Sequence, residues 1–351
     1  MKVIFSVPIV VLALFLISGR IPKSSPTPSP SPTPQVQLMK LSPSKILAND
    51  YHVFQTFNNC GPAALSMALS YYGYNISQDV LGKDLRPFQN SLGDNDDKSV
   101  TLEELGEKAK EYGLVPYHRP NGNIGFIKLF IENDIPVIAR TLLYQDEDIG
   151  HYRVVKGYDD TTRQLLQDDS MQGQNLWFSY QEFNALWKQF NFEYLVLVPK
   201  EKQTIAEEIL GEDKDPKIAW KKAVQNAQKQ LEANPQDIYS RFNLSVALYN
   251  IGESQQSAVE FERVENQLPF RTLWYQIEPI KAYYELKDYE RAFAVTDQVL
   301  NNWNRAFSEL YYLRGQIYLE QGSKEAAKLE FENALFYKYN YKPALEALNI
   351  L

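Results

Sequence analysis

The stretch Gln55–Gly73, which reads QTFNNCGPAALSMALSYYG, decides how the first half of this chain folds. Pro62 suits the first turn of an α-helix, residues 63–72 favour that helix, and Gly73 ends it. The apolar residues recur at helical spacing, which predicts that one face of the helix packs against a sheet. They are Leu65, Leu69 and Tyr72, with Ala64 and Ala68 beside them.

Cys60 falls at the N-terminus of this predicted helix, which is a position for a reactive thiol. The free N–H groups and the macrodipole at that end of a helix favour a thiolate. A cysteine that only filled the core would be expected one or two turns further along. Cys60 is also the only cysteine of the 351 residues, so the chain has no internal disulfide. We therefore take Cys60 as a candidate nucleophile.

A predicted β-hairpin about 90 residues downstream supplies the groups that would activate this thiol. Alternating segments predict its two strands, Gly150–Asp160 and Gln164–Gln167. His151 opens the first strand, and Asp168 and Asp169 follow the second. Because hairpin partners lie side by side, the imidazole could take the thiol proton while a carboxylate fixes its tautomer.

Two motifs carry a resemblance to a known family: Q-x4-C-G-P-A around Cys60, and G-H-Y-x-V-V-x-G-Y-D-D beginning at Gly150. With the aspartate that ends the next strand, they resemble the cysteine peptidases typified by the double-glycine leader peptidases of bacteriocin exporters (cysteine peptidase family 39). The free-standing branch of that family, found in bacterial exported proteins, is the more similar. The resemblance covers about residues 47–199 and implies a papain-like α+β cysteine peptidase domain over residues 47–200.

The resemblance implies a role for each residue of this set. Cys60 would be the nucleophile and His151 the general base. The side chain of Gln55 would donate to the oxyanion hole, together with the backbone N–H of Cys60.

The third member of the set is one of two adjacent carboxylates. Asp168 and Asp169 point to opposite faces of a strand, so only one of them can face the imidazole. In the family the orienting carboxylate precedes a proline, and here Ser170 stands in the place of that proline. This pattern favours Asp169 and leaves Asp168 as the alternative.

The N-terminus predicts export. Residues 3–19 carry no charge and lie between Lys2 and Arg20, which indicates a signal peptide or membrane anchor over residues 1–20. The segment 21–46 that follows is rich in Pro, Ser and Thr, which predicts an extended linker. We therefore expect an exported protein, secreted or anchored at the bacterial cell surface, that contacts the membrane only through this N-terminal segment.

The C-terminal part predicts an all-α solenoid of tetratricopeptide repeats over residues 215–351, after a polar linker at residues 201–214. Alanines recur at spacings of 35, 34 and 35 residues, as small residues do where paired helices touch in this repeat; they are Ala223, Ala258, Ala292 and Ala327. We expect three full units preceded by a single helix, with that helix and residues 342–351 as caps. Such a stack would bind a protein partner on its concave surface, or would only pack against the first domain.

The last unit carries the repeat pattern most clearly, with Gly315 at a small position and Phe331 among the aromatics that fill between helices. Other aromatic residues are frequent in this part, Trp274 and Tyr275 among them. The helical period assigns most of these residues to the core, so by themselves they identify no ligand.

Composition and missing motifs exclude several classes of protein. The formal net charge is −8, which argues against a nucleic-acid-binding protein. The sequence lacks a phosphate-binding loop, a dinucleotide fingerprint and a His-Glu-x-x-His zinc motif. Its three histidines, His52, His118 and His151, are not spaced as metal ligands. We therefore predict neither a cofactor nor a metal.

Together the patterns predict an exported cysteine peptidase that hydrolyses peptide bonds through a thioester on Cys60, with His151 as general base. The repeats would recruit a protein partner or the peptide or protein substrate. Amide hydrolysis and acyl transfer use the same groups and stay open. The alternative from another class is a non-catalytic module that binds peptides or proteins in the papain-like cleft and on the repeat surface. The complete set of Gln, Cys, His and Asp favours the enzyme.

Overall fold

The computed structural model describes Met1 and residues 38–88, 98–302 and 304–351. Apart from Met1, the signal peptide or anchor predicted over residues 1–20 lies outside the described residues, as does most of the linker predicted over residues 21–46. Within the described ranges, no helix is long and apolar enough to cross a membrane. The chain from Val36 to Leu351 forms a single compact unit, so its sheet-containing and C-terminal parts are packed together.

The first part is built around an antiparallel sheet, which has seven strands among the described residues. They are β1 (Ser44–Ile46), β2 (Leu114–Arg119), β3 (Val137–Leu142), β4 (Gly150–Asp159), β5 (Gln164–Asp169), β6 (Gly173–Ser179) and β7 (Tyr194–Pro199). The strand order is β2, β7, β3, β4, β5, β6, and β1 pairs with the end of β4, beyond β3. β1 lies inside the segment predicted as a linker. β1 forms because its backbone pairs with Gly157–Asp159 of β4. Backbone hydrogen bonds of this kind do not depend on the Pro, Ser and Thr content of the surrounding segment.

Helices cover both faces of the sheet. One face carries α1 (Cys60–Ser70), α2 (Gln78–Leu85) and α3 (Leu102–Lys110); the other carries α4 (Ile124–Glu132), α5 (Tyr180–Trp187) and α6 (Gln203–Leu210). Successive residues of β3 point to opposite faces of the sheet. Ile138 packs with the face that carries α1, and Val137 and Ala139 pack with the face that carries α4. A strand whose two sides are both apolar is what a sheet buried on both faces requires.

Helix α1 begins at Cys60 and packs against the sheet, as the sequence predicts. It is buried on all sides rather than on one face, because every residue from Gly61 to Leu69 is buried. Val100 and Leu105 lie against Gly61 and cover the start of the helix. Gly73 has a φ of +82°, the left-handed conformation that glycine adopts where a helix ends.

The polar segment predicted as a linker at residues 201–214 is folded. Most of it belongs to α6, whose Ala206, Ile209 and Leu210 are buried in the same core as Phe130 of α4. These apolar residues lie three and four apart or adjacent, so they form a stripe on one side of the helix. The first part therefore continues to residue 210, and its last helix leads directly into the C-terminal part.

The C-terminal part is all-helical where it is described. Its helices are α7 (Pro216–Ala233), α8 (Ile238–Asn250), α9 (Ser254–Glu262), α10 (Thr272–Tyr275), α11 (Glu278–Glu285), α12 (Tyr289–Asn301), α13 (Ser308–Glu320), α14 (Lys324–Tyr337) and α15 (Lys342–Ile350). Helices that follow one another in the chain pack together: α7 with α8, α8 with α9, α11 with α12, α13 with α14, and α14 with α15. The recurring alanines lie on α7, α9, α12 and α14 and are all buried. Assignment to tetratricopeptide repeats stays a prediction.

Gly315 of α13 offers a test of the close approach within the last helix pair. A methyl group at this position would overlap the ring of Phe331 on α14. We expect Gly315→Ala to lower the free energy of unfolding by about 1–2 kcal/mol, because overpacking costs about 1–3 kcal/mol and alanine regains up to about 1 kcal/mol in helix propensity. Urea unfolding of both proteins measures the difference. Lys328→Ala, on the exposed side of α14, is the control and should change stability by less than about 0.5 kcal/mol.

Candidate active site

A cavity of about 420 Å³ brings three of the predicted site residues together. Gln55, Cys60 and His151 all line it, although almost 100 residues separate the first from the last. The C-terminal helical part lines it too, through the segment that contains α10. The candidate site is therefore a cleft between the two parts of the chain rather than a groove in the first part alone.

Cys60 is partly exposed at the first position of α1, next to the buried side chain of Asn59. Arg86, which follows α2, donates from Nη1 to Asn59 Oδ1 at 2.8 Å and to the Phe57 carbonyl at 3.1 Å. Its guanidinium thus fixes the turn that presents the thiol and places a positive charge near it. Sequence patterns do not point to Arg86, because an arginine after a short helix belongs to no recognisable motif.

Two opposing influences act on the pKa of Cys60. Burial raises the pKa of Cys60, although the charge of Arg86 and the N–H of Gly61 both act to lower it. The N–H at the helix N-terminus thus acts in the expected direction, and burial opposes it. The helix end does favour the thiolate. Desolvation of the sulfur, however, destabilises the thiolate by more than the Arg86 charge and the Gly61 N–H stabilise it.

His151 and Asp169 form a buried pair behind the cavity. Nε2 of His151 lies 2.9 Å from Oδ1 of Asp169, and both side chains are at most 1% exposed. Oδ1 also accepts from the backbone N–H groups of Met171 at 2.7 Å and Gln172 at 2.9 Å, while Oδ2 lies 3.2 Å from Nε of Arg153. This geometry follows from the β4–β5 register, in which Asp169 stands opposite Arg153 and is one diagonal step from His151.

The charges of this pair are well defined. Burial alone would raise the pKa of Asp169, but the hydrogen bond and charge of His151, Arg153 and the N–H of Gln172 lower it to about 2. Burial lowers the pKa of His151, and the hydrogen bond to Asp169 only partly opposes this. At neutral pH the site therefore holds a carboxylate, a neutral imidazole and a neutral thiol.

The other candidate carboxylate, Asp168, points away from this pair. Its Oδ2 accepts from Nζ of Lys156 at 2.7 Å and its Oδ1 from the N–H of Asn175 at 2.9 Å. Lys156 and Asp168 are both buried, so each neutralises the other. The structure thus separates the two aspartates, placing Asp169 beside His151 and Asp168 in a salt bridge on the opposite side of the strand.

Gln55 reaches the cavity with its amide oriented by Ser170. Ser170 Oγ donates to Gln55 Oε1 at 2.8 Å, and the Gln55 N–H donates to the Ser170 carbonyl at 2.8 Å. Because the side-chain oxygen is engaged, the amide nitrogen is the end left to donate to a ligand. Ser170, which stands where the family has a proline, therefore supports the group that the sequence places in the oxyanion hole.

The two remaining histidines lie outside the cavity lining. His52 contacts the backbone carbonyl of Asp169 through Nε2 at 2.9 Å, so it supports the strand end that carries the carboxylate. His118 lies 2.9 Å from Glu193 Oε2 and takes no part in the site. Local sequence patterns predict neither contact, because both partners lie far away along the chain.

Comparison with known proteins finds a family match for the first part. Residues 36–195 match the Peptidase C39 like family, which supports a C39-like family domain in this segment. The match includes every residue of the candidate site that the sequence singled out. No curated protein matches the chain.

Solved structures share less with the whole chain. A C39-like peptidase from Bacillus anthracis is 17% identical at a TM-score of 0.37, over 45% of this chain and 98% of that one. The peptidase domain of Streptococcus ComA, a bifunctional ABC transporter involved in a quorum sensing pathway, is 24% identical at a TM-score of 0.33, over 42% and 97%. MamA is 17% identical at a TM-score of 0.33, over 38% and 78%. With TM-scores below 0.5, none of these likenesses establishes a shared fold for the whole chain.

Replacing each aspartate separately tests which one acts on His151. We expect Asp169→Asn to lower the pKa of His151 further, because the carboxylate of Asp169 acts to raise it. Asp168→Asn should leave that pKa unchanged and lower the free energy of unfolding by about 3–5 kcal/mol, because it leaves Lys156 buried without its partner. NMR titration of the His151 ring protons and urea unfolding measure the two effects. A shift of the His151 pKa in Asp168→Asn alone would reverse the assignment.

Proposed function

We propose that the peptidase C39-like domain is an active cysteine peptidase that hydrolyses peptide bonds through a thioester on Cys60. The observation that carries the proposal is the buried His151–Asp169 pair at 2.9 Å, with His151 and Cys60 lining one cavity. A strand histidine without a catalytic role has no need of a buried carboxylate partner and of a thiol that lines the same cleft. Cys60, His151 and Gln55 are the catalytic residues of this mechanism, and Asp169 is the positioning residue.

The reaction begins from the neutral pair. His151 contacts Asp169 through Nε2, so Nδ1 is the ring nitrogen that would accept the thiol proton. The Cys60 thiolate attacks the substrate carbonyl carbon, and the oxyanion that forms accepts from the Gln55 amide and the Cys60 N–H. When the carbon–nitrogen bond breaks, the imidazolium protonates the departing amine. A water molecule, deprotonated by His151, then attacks the thioester, releases the acid and restores the thiol.

Asp169 contributes by stabilising the imidazolium that exists only during the reaction. Its pKa of about 2 keeps it ionised at neutral pH, so its charge opposes that of protonated His151. The N–H groups of Met171 and Gln172 fix the orientation of the carboxylate and hence of the ring. The base is thus held in one tautomer before the substrate binds.

Export and recruitment belong to the same proposal. The uncharged run at residues 3–19 would send the domain out of the cell, secreted or anchored at the bacterial surface. The C-terminal helices, as tetratricopeptide repeats, would bind a protein partner or the substrate protein. No cofactor or metal enters the mechanism, because Cys60 supplies the nucleophile and His151 the proton transfer.

A non-catalytic peptide- or protein-binding module is the second candidate, and one observation favours it. Burial raises the pKa of Cys60, which makes the thiol a weaker nucleophile at rest than an exposed one. A cleft that only binds peptides would keep its shape but would not need an activated thiol. The alkylation of Cys60 therefore separates the two candidates.

The pH dependence of Cys60 alkylation by iodoacetamide tests the proposed pair. The imidazolium–thiolate form has the same number of protons as the neutral pair, so its population is independent of pH between the two pKa values. Because the pKa of His151 is lowered and that of Cys60 is raised, this range should include about pH 7 to 8.5. We expect a flat shoulder in the rate there and a rise at higher pH.

His151→Ala should remove the shoulder and keep only the rise that follows thiol ionisation. Asp169→Asn should lower the shoulder, because the imidazolium loses its stabilising charge. The same profile in the wild type and in His151→Ala would contradict a coupled pair and favour the binding module.

Cleavage of a quenched fluorogenic peptide library tests hydrolysis and the role of Gln55. We expect the wild type to cleave, and Cys60→Ala to be inactive. Gln55→Ala should lower kcat by about 100- to 1,000-fold with a small effect on KM, because the amide donates to the oxyanion rather than to the bound peptide. Gln236→Ala, an exposed glutamine of the helical part, is the matched control. An equal rise of KM in place of the kcat loss would assign Gln55 to substrate binding instead.

A further inference from the structure

The helical part contributes three side chains to the catalytic cleft. These side chains are Arg271, Trp274 and Tyr275, and they line the same cavity as Cys60 and His151. In the chain they lie more than 100 residues after Cys60 and His151. They belong to the short helix α10 and the residue before it. This helix lies between two of the packed helix pairs and is a part of neither.

The α10 segment is held to the peptidase domain at both ends. At its start, Arg271 Nη1 lies 2.6 Å from Asp148 Oδ1, and the Arg271 N–H donates to Asp148 Oδ2 at 3.1 Å. At its end, Arg140 of β3 donates from Nη2 to the Tyr275 carbonyl at 2.7 Å. These bonds fix the segment against the cleft, so its side chains form a wall of defined shape.

Tyr275 packs directly on the residue before the catalytic histidine. A Cβ at Gly150 would lie 3.0 Å from two ring carbons of Tyr275, so the ring occupies the space that only glycine leaves open. The helical part therefore reaches the start of β4, at the point where the strand presents His151.

The chemistry of the cavity is apolar once its charges are paired. Arg271 is paired with Asp148, and Lys98 is paired with Glu104 at 2.8 Å and with Glu309 at 2.5 Å. Beside Trp274 and Tyr275, the apolar lining comes from Phe54, Phe57, Leu143, Ile149 and Met171. Since the two cations lie within salt bridges, an apolar group gains more from this surface than an anion does.

We propose that Trp274 and Tyr275 are specificity-determining residues, which form the wall of a subsite for an aromatic side chain of the peptide substrate. This rests on the proposed peptidase function and adds the class of substrate that the cleft takes. The subsite exists only when the helical part is docked, so the active cleft is composed of both parts of the chain. The helices thus select the substrate side chain inside the site.

Peptidyl fluoromethyl ketones provide the test with full-length protein. In these probes Cys60 Sγ bonds to the methylene carbon as fluoride leaves, so the inactivation rate reports on how the peptide is held. We would compare tetrapeptides that carry either Phe or Ala at each position in turn. We expect the wild type to prefer Phe by about 20-fold or more at one position, as full burial of an aromatic ring implies.

Substitutions of the wall should remove this preference alone. Trp274→Ala and Tyr275→Ala should lower the Phe/Ala ratio to less than about 3-fold, while the iodoacetamide rate at Cys60 stays within about 2-fold. Tyr275→Phe keeps the ring and should keep most of the ratio. Tyr339→Ala, an exposed aromatic residue that does not line the cavity, is the matched control and should change neither rate.

Two results would overturn the proposal. An unchanged Phe/Ala ratio in both alanine variants would exclude the wall as a specificity element. An equal rise of the inactivation rates by the Phe and Ala probes in these variants would show that the segment obstructs the cleft instead of selecting a side chain. If iodoacetamide reveals no activated thiol in the wild type, the peptidase function fails separately. The Phe/Ala affinity ratio of the tetrapeptide amides for Cys60→Ala protein, measured by calorimetry with and without Trp274→Ala, then still decides the subsite.

Discussion

The buried carboxylate of Asp169 is the group on which the arrangement of the site depends. A charge removed from water costs several kcal/mol unless it is paired and hydrogen-bonded, and Asp169 is 0% exposed. Its compensation comes from His151, Arg153 and two backbone N–H groups of the turn that follows β5. The N–H groups lie only two and three residues after Asp169, whereas His151 and Arg153 face it only if β4 and β5 pair in their observed register. The geometry of the candidate site therefore depends on the pairing of these two strands.

The same sheet carries the interface with the helical part. Arg140 of β3 lies 3.7 Å from Glu193 and donates to the Tyr275 carbonyl, while Gln276 donates to Glu193 at 3.0 Å. All the side chains of this group except that of Tyr275 are buried, so separating the two parts would leave charged and polar atoms without partners. This explains why the chain from Val36 onward is one compact unit. A docked helical part can shape the cleft, which a freely tethered one could not.

The resting charges of the site show how burial changes a motif. The helix N-terminus and Arg86 favour a thiolate at Cys60, yet desolvation raises its pKa overall. The same desolvation lowers the pKa of His151. In the proposed mechanism, proton transfer from Cys60 to His151 therefore occurs during the reaction, and the charge of Asp169 stabilises the imidazolium that forms. The local sequence predicts which neighbouring groups stabilise the charged form of a side chain. The net shift of its pKa also depends on how completely the folded chain excludes water from it.

The sequence by itself determined the helix that begins at Cys60 and the β4–β5 hairpin, because these depend on contacts between near neighbours in the chain. Its motifs also pointed to Gln55, Cys60, His151 and a strand-ending aspartate, through their resemblance to a known family. It also determined the period of the buried alanines in the helical part. Only the tertiary structure decided that Asp169 faces His151, that Arg86 and Ser170 support the site, and that Trp274 and Tyr275 line the cleft while they also pack with the helical core. Each of these facts depends on residues far apart in sequence, or on which face of a strand meets its neighbour, and no local pattern encodes such a meeting.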